Sequence, residues 1–292
     1  MGSVGNTTAP AAAAAPPAKT WAISNPFRDA IVAGEVCPVF TTRMTTSAEL
    51  PMVLKMAGAK ALFIDMEHSA FDMHAVAQQI LACNYAGVSA IVRIPSKSHW
   101  HISRMLDSGA AAIVVPHVET VEEVRQLVKD AKYAPIGARG CSNMQPLFNF
   151  GLVPTKVQNE ILNRETMLIP MIETPGAVDL VDEFLAVEGV DGILIGSNDL
   201  CSDMGIPGQY DTAQYQDAIT KIVLAGKKVG KPIGIGGIGG RLDLLEKWFN
   251  MGATWSLSGG DLASLQAAIK KIGENYSAIN ERVQKAKAAA SS

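Results

Sequence analysis

Ala61-Leu-Phe-Ile-Asp-Met-Glu-His-Ser-Ala70 is an apolar run that stops abruptly at two carboxylates and an imidazole. Four apolar residues bounded by polar ones, Ala61 to Ile64, suit a short strand covered on both faces better than the stripe of an amphipathic helix. Asp65, Glu67 and His68 then fall at the C-terminal end of that strand. In a parallel α/β sheet, open or closed, this edge is where ligands bind, because side chains leaving the strand tips converge there while the strand bodies stay packed. Taken alone, the decapeptide also admits a plainer reading, with Asp65 capping the next helix and His68 on the surface.

Outward from this segment the same unit recurs. Val36 to Phe40 precedes it as a strand candidate, and Phe71 to Ala86 follows it with helical spacing. Val88 to Ile94 is β-branched and ends in Arg93 before Pro95, which cannot extend a central ladder. Ala110 to Val115 stops at Pro116-His117, and the apolar residues from Val121 to Ala131 then repeat at helical spacing. Met167 to Ile172 leads to Glu173 and a helix expected through Phe184, and Gly192 to Gly196 leads to Ser197-Asn198-Asp199. Strand candidates therefore lie near residues 38, 63, 91, 113, 170, 194, 234 and 256, nearly all separated by one helical segment. That alternation points to a single (β/α)8 TIM barrel over residues 23–292, behind an Ala/Pro-rich tail, expected to be disordered, over 1–22. Residues from Ala134 to Arg164 keep no clear period and are expected to be irregular, the kind of long segment that is commonly functional or interfacial.

Composition narrows the function classes. The 292 residues are 48% hydrophobic and 18% charged, with a net charge of −3, which suits a packed α/β protein and gives no footprint for nucleic acid or an anionic membrane. Small molecules become the default partners. Cys37, Cys83, Cys141 and Cys201 are far apart with no Cys-x-x-Cys pair, so they read as reduced thiols without a zinc knuckle or disulfide framework. Without a membrane-length apolar run or a secretory pattern, a cytoplasmic soluble protein is the expectation.

The polar residues at the strand tips are Asp65, Glu67, His68, Arg93, His117, Glu173 and Asp199, and a barrel brings them to one mouth. Glu173 and Asp199, delivered by adjacent strands, make an oxygen-ligand pair suited to Mg2+ or Mn2+; helix capping by Asp199 is the plainer alternative. Gly234-Ile-Gly-Gly-Ile-Gly239 matches the dinucleotide fingerprint in letters only, since it lies late in the chain and lacks the ribose-binding acid that should follow. Close backbone packing at the barrel rim is the better account of these glycines.

Ile64-Asp-Met-Glu-His68, Val92-Arg93, Met105-Leu-Asp-Ser-Gly109, Pro116-His-Val118, Gly137-Ala-Arg-Gly140, Ile172-Glu-Thr174 and Val187 to Leu200 together resemble the HpcH/HpaI family of metal-dependent class II pyruvate aldolases. The resemblance runs in unbroken order from about Asn25 to Ile272. It implies a barrel of the phosphoenolpyruvate/pyruvate type that cleaves a 4-hydroxy-2-oxo acid, of the 2-keto-3-deoxy sugar acid kind, into pyruvate and an aldehyde. The alternative is an oxaloacetate decarboxylase or macrophomate-synthase-like enzyme using the same enolate.

Carried over residue by residue, the resemblance makes Glu173 and Asp199 ligands of a divalent metal, Mg2+, Mn2+ or Co2+. Ser197, Asn198 and Asp199 bind the substrate, Asn198 through its backbone N–H. Arg93 stabilises the enolate oxygen, His68 is the general base with Asp107 raising its basicity, and Asp65 and Glu67 stand behind these groups, Asp65 holding metal-bound water. A homo-oligomer, a hexamer by resemblance, is expected, with the helix from Leu262 onward packing on a neighbouring subunit. Two departures touch the substrate end: the loop reads Gly196-Ser-Asn-Asp199 where the family commonly has Gly-Pro-Ala-Asp or Gly-Pro-Ser-Asp, and Met171 stands where bacterial members often have Gln. No lysine interrupts a strand tip, so Schiff-base chemistry is not expected. A catalytically silent barrel acting as a scaffold is disfavoured by the full set of tip residues.

Overall fold

Eight parallel strands close into a barrel in sequence order in a computed structural model that describes residues 21–291. They are β1 Cys37–Thr42, β2 Ala61–Asp65, β3 Ser89–Arg93, β4 Ala112–Val115, β5 Met167–Ile172, β6 Ile193–Gly196, β7 Ile233–Gly236 and β8 Trp255–Gly260. Each contains one of the positions expected from the sequence. The helices are α1 Pro26–Val32, α2 Glu49–Met56, α3 Met73–Ala86, α4 His99–Asp107, α5 Val121–Ala131, α6 Thr155–Glu165, α7 Pro175–Asp179, α8 Val181–Ala186, α9 Ser197–Asp203, α10 Ala213–Val229, α11 Leu242–Met251 and α12 Asp261–Ala290.

Strand parity aims the site. Along β2, Ala61 and Phe63 pack inside the barrel while Leu62 and Ile64 pack outward against the helices. Side chains alternate with period two, so Asp65 points inward at the strand's end. By the same count Ile91 places Arg93 inward on β3, and Met167, Ile169 and Met171 on β5 place Glu173 inward one residue beyond the strand. The register pairs Asp65 with Arg93 across β2 and β3. The opposite end of the barrel is plugged by α1, whose Phe27 meets the Trp255 ring edge-on at 5.2 Å and donates its backbone N–H to Ser89 Oγ at 3.0 Å.

Two expectations are corrected. The segment from Ala134 to Arg164 is not irregular throughout, because α6 occupies Thr155–Glu165. Its sequence offers only Val157, Ile161 and Leu162 as apolar residues, and it buries Ile161 and Leu162 together with Gln158, so the period is too sparse to read. The helix expected through Phe184 is two short ones, α7 and α8, meeting at Leu180. Gly234, the first glycine of the fingerprint-like run, lies in the barrel interior, where a Cβ would come within 2.1 Å of the Trp255 indole. It permits close packing in the core, while Gly237 and Gly239, past the end of β7, do so at the rim, against Asn198 and the Leu257 carbonyl.

The expected tail over 1–22 falls almost wholly on residues 1–20, which lie outside the described residues. Trp21 packs edge-on against Phe148 with centroids 6.5 Å apart. All four cysteines are free, with Cys141 exposed and the other three buried. Among the described residues no helix is long and apolar enough to cross a membrane. Helix α12 projects Leu262, Leu265, Ile269, Ile272, Tyr276, Ile279 and Val283, all exposed, along one side. Their alternating steps of three and four residues are the seam of a left-handed helix pair.

Candidate active site

At the C-terminal mouth a chain of charged groups runs from β2 to β5. Asp65 Oδ1 accepts from the backbone N–H groups of Glu67 and His68, each at 3.1 Å, so the carboxylate shapes the turn after β2 as a cap would. It also accepts from Arg93 Nε at 3.0 Å, and Oδ2 accepts from Nη2 at 2.6 Å, a bidentate pair buried on both sides. The reading of Asp65 as the cap of the next helix is corrected: α3 is capped by Asp72, and Asp65 shapes the turn after β2 instead. Burial alone would raise the Asp65 pKa, but the guanidinium and the two N–H groups outweigh it and hold the carboxyl below its usual range.

Arg93 Nη1 lies 2.8 Å from Glu67 Oε2 and 4.0 Å from Met171 Sδ. Of the five N–H groups of a guanidinium, two donate to Asp65, whereas the Glu67 contact is an ion pair without hydrogen-bond geometry, Oε2 having no hydrogen-bond partner. Glu67 Oε1 in turn meets His117 Nε2 at 2.7 Å. His117 holds a left-handed backbone, φ 55°, just past β4. From there its N–H donates to Glu173 Oε2 at 2.7 Å, with ring Nδ1 3.4 Å from the same oxygen. The sequence placed His117 among the tip residues but gave it no role. Its position after β4 and before a left-handed turn is the signal that was available.

Glu173 ends the chain. It is 2% exposed, and its second oxygen, Oε1, has no hydrogen-bond partner although it is buried. Burial pushes its pKa up, His117 pulls it down through the N–H and the ring, and the carboxylates of Asp199 and Glu67 push it up again, for a net rise. Gly196 makes the room beside it, since a Cβ there would sit 2.6 Å from Glu173 Cγ and 2.7 Å from Oε1. A buried carboxylate with one vacant oxygen, facing a second carboxylate one strand away, has the donor chemistry of a hard-cation site. Among the described residues no three His, Cys, Asp or Glu side chains form a ready-made metal cluster. Such a cation would therefore depend on Glu173 and Asp199 together with oxygens that the protein does not supply.

The remaining expected residues are dispersed. His68 is half exposed, with Nε2 3.9 Å from Glu67 Oε2. Asn198 and Asp199 are exposed in the first turn of α9, with Asn198 Oδ1 accepting from Tyr210 Oη at 2.5 Å. The Ser197 side chain faces away from the mouth, buried, with Oγ accepting from Tyr215 Oη at 2.7 Å. Asp107 is not brought to His68 within the chain. It ends α4, which runs back from the mouth to the opposite end of the barrel, and it pairs there with Arg139 Nη2 at 2.5 Å.

Comparison with known proteins points to one family. The sequence profile described as HpcH/HpaI aldolase/citrate lyase matches residues 44–269, well over half of the chain. A 4-hydroxy-4-methyl-2-oxoglutarate aldolase of Chaetomium globosum is 32% identical over 216 residues, 73% of this chain and 80% of the relative. A 5-keto-4-deoxy-D-glucarate aldolase of Klebsiella pneumoniae is 33% identical over 228 residues, 77% of this chain and 86% of the relative. Among solved structures, an HpcH/HpaI aldolase from Desulfitobacterium hafniense superposes with a TM-score of 0.80 at 28% identity, covering 87% of this chain and 97% of that one.

Proposed function

The chain belongs to the HpcH/HpaI aldolase/citrate lyase family, and from that premise we propose that it is a carbon–carbon lyase cleaving a 4-hydroxy-2-oxo acid to pyruvate and an aldehyde. The observation that carries the reading is Glu173, a buried carboxylate with one oxygen unpartnered at the mouth of a barrel lined with tip residues suited to enolate chemistry.

The family is generally dependent on a divalent metal, and in this chain Glu173 and Asp199 are the residues that would hold Mg2+, Mn2+ or Co2+. When bound, the cation supplies Lewis-acid polarisation of the 2-oxo group. The protein's own groups do the rest. Arg93, held by its two hydrogen bonds to Asp65 and its ion pair with Glu67, directs its remaining N–H groups at the oxygen that becomes the enolate, where a preorganised donor costs no reorganisation. His68 takes the C4 hydroxyl proton, the step that releases C3–C4 cleavage. Asp65 holds the turn that carries His68, and His117 fixes one oxygen of Glu173 so that the other faces the ligand. Asn198 and Asp199 bound the place of the substrate carboxylate; Ser197 contributes by anchoring α9 through Tyr215 and not by direct contact.

The protein is also proposed to be a homo-oligomer. The exposed heptad seam of α12 has the pattern of a surface covered by another helix. Asp107, at the far end of the barrel from its own His68, can support an imidazole only in a neighbouring copy. Light scattering at micromolar concentration should show an assembly larger than one chain, and a monomer would refute it.

The activity is tested by pyruvate release from a panel of 4-hydroxy-2-oxo acids and oxaloacetate, with and without chelator. Cleavage of a hydroxy-oxo acid that is lost with chelator and restored by Mg2+, Mn2+ or Co2+ is expected. Pyruvate from oxaloacetate alone would move the reading to decarboxylation. Lysine trapping by borohydride with pyruvate would place the chemistry in the Schiff-base class instead.

A further inference from the structure

A cavity of about 320 Å3 opens at the barrel mouth, bounded by Arg43 and Arg93, by Asp65 and Asp261, and by the glycine backbone at Gly237 and Gly260. Its two carboxylates are already used. Asp65 is taken by Arg93. Asp261, buried at the start of α12, accepts from Thr42 Oγ1 at 2.8 Å and from the backbone N–H groups of Met44 and Thr45 at 2.9 and 3.0 Å. It accepts from the backbone N–H of Arg43 as well, at 3.2 Å. Those donors outweigh burial and hold the Asp261 carboxyl below its usual range, so it stays charged and fastens the loop after β1.

Arg43 rides on that loop with its backbone fixed and its guanidinium committed to nothing: among the described residues it makes no side-chain hydrogen bond or ion pair. Exposed Arg125 and Arg164 and half-buried Arg241 each have a carboxylate partner, and Arg104 lies over the Trp100 ring; Arg282, like Arg43, has no ion pair among the described residues, but it lies far along α12, away from the cavity. One cavity thus holds a guanidinium at its reactive end, Arg93, and a second, uncompensated one at its rim, with no free carboxylate between them.

We propose that Arg43 recognises the far carboxylate of a dianionic substrate, so that the acid cleaved is a 4-hydroxy-2-oxo diacid. The chemistry rests on the aldolase reading above, whereas the charge preference rests on the cavity. In the reaction the C4 hydroxyl proton leaves and C4 becomes a carbonyl as C3–C4 breaks with its electron pair passing to the enolate. A proton then returns at C3 to complete pyruvate. The other product retains the far carboxylate and is an aldehyde or ketone acid. A planar guanidinium offers a carboxylate two parallel N–H donors, which a methyl group in the same place cannot use.

The test compares two substrates that differ only at C5, 4-hydroxy-2-oxoglutarate and 4-hydroxy-2-oxopentanoate, in the Mg2+-supplied enzyme. The wild type should favour the diacid, and Arg43→Ala should reduce the ratio of the two kcat/KM values about 10- to 100-fold, the range expected for one charge-assisted hydrogen-bonded pair. Arg43→Lys should retain part of it. Because the ratio is internal to the folded enzyme, partial loss of protein does not affect it; an unchanged ratio in Arg43→Ala overturns the proposal.

If the wild type cleaves neither compound, the aldolase reading fails and calorimetry decides the proposal separately, with 2-oxoglutarate and 2-oxopentanoate as probes that lack the hydroxyl. A preference for 2-oxoglutarate that disappears in Arg43→Ala sustains the role of Arg43. Equal binding of the two probes by the wild type removes it.

Discussion

Lys132 and Glu173 are both ionisable side chains exposed by only 2%, placed at opposite ends of the same barrel, and the protein treats them in opposite ways. Lys132 Nζ donates to Asn163 O at 3.0 Å and to Thr166 O at 2.7 Å, and it pairs with Asp191 Oδ2 at 2.8 Å. Asp191 Oδ2 also accepts the backbone N–H of Leu168 at 2.7 Å, tying this group to β5. Glu173 has one oxygen fixed by His117 and one left vacant. A satisfied buried charge is part of the structure, whereas an unsatisfied one costs stability and marks a place kept for something else. Burial alone does not distinguish the two; the count of partners does.

The largest effect should come from removing the vacant oxygen's charge. Glu173→Gln is expected to lower pyruvate-forming activity by about 10³-fold or more, as loss of both a cation ligand and its electrostatic support implies. In metal-free protein the same change should leave stability unharmed or improve it near neutral pH. The sign follows from the raised pKa: the folded carboxyl binds its proton more tightly than the unfolded one, so this group's contribution to stability falls as pH rises through the interval above 4.5. Gln has no such loss. Chemical denaturation of the metal-free variant across that interval checks it, and marked destabilisation at neutral pH would break the contrast with Lys132.

His68, half exposed, tests whether catalysis requires the burial that Glu173 shows. His68→Ala should slow aldol cleavage about 10²- to 10³-fold, typical of a lost general base, while retaining most decarboxylation of oxaloacetate, which has no hydroxyl proton to remove. Equal loss of both reactions with metal still bound would assign the imidazole to the enolate or to the architecture.

Lys132→Met should act on stability alone. Leaving Asp191 and two carbonyls without their partner costs about 3–5 kcal/mol by the usual penalty for breaking a buried pair, read as a lower denaturation midpoint. Activity per folded molecule should be unchanged. Smallest of the series is Asp107→Asn, which acts only through an imidazole and should show a weaker form of the His68 split, less than about tenfold. Mixing Asp107→Asn chains with His68→Ala chains should restore some activity if the pair forms between copies, and no restoration in a mixed assembly would place Asp107 elsewhere.

What could be read from the sequence follows the same division. The barrel was legible because strands buried on both faces are continuous apolar runs, as in Ala61 to Ile64 and Met167 to Ile172, and each stops at a polar residue. Asp65, Arg93 and Glu173 were legible because those stops are where parity turns inward. The α6 helix escaped because it buries a glutamine along with two apolar residues, and the break at Leu180 leaves no mark in composition. His117 was visible as a tip residue, but its role depends on a left-handed turn that aims it between two carboxylates. The turn of Ser197 away from the mouth depends on Tyr215, eighteen residues away, and no local pattern encodes that contact. Nor could spacing tell that Asp107 lies at the far end of the barrel from its own His68.

The most direct test of the central claim is Mn2+ binding followed by electron paramagnetic resonance, in wild type, Glu173→Gln, Asp199→Asn and Lys132→Met. One Mn2+ per chain is expected in the wild type and in folded Lys132→Met, with binding abolished or severely weakened in both carboxylate variants. Undiminished Mn2+ binding by Glu173→Gln would contradict the claim that the vacant oxygen is kept for a cation.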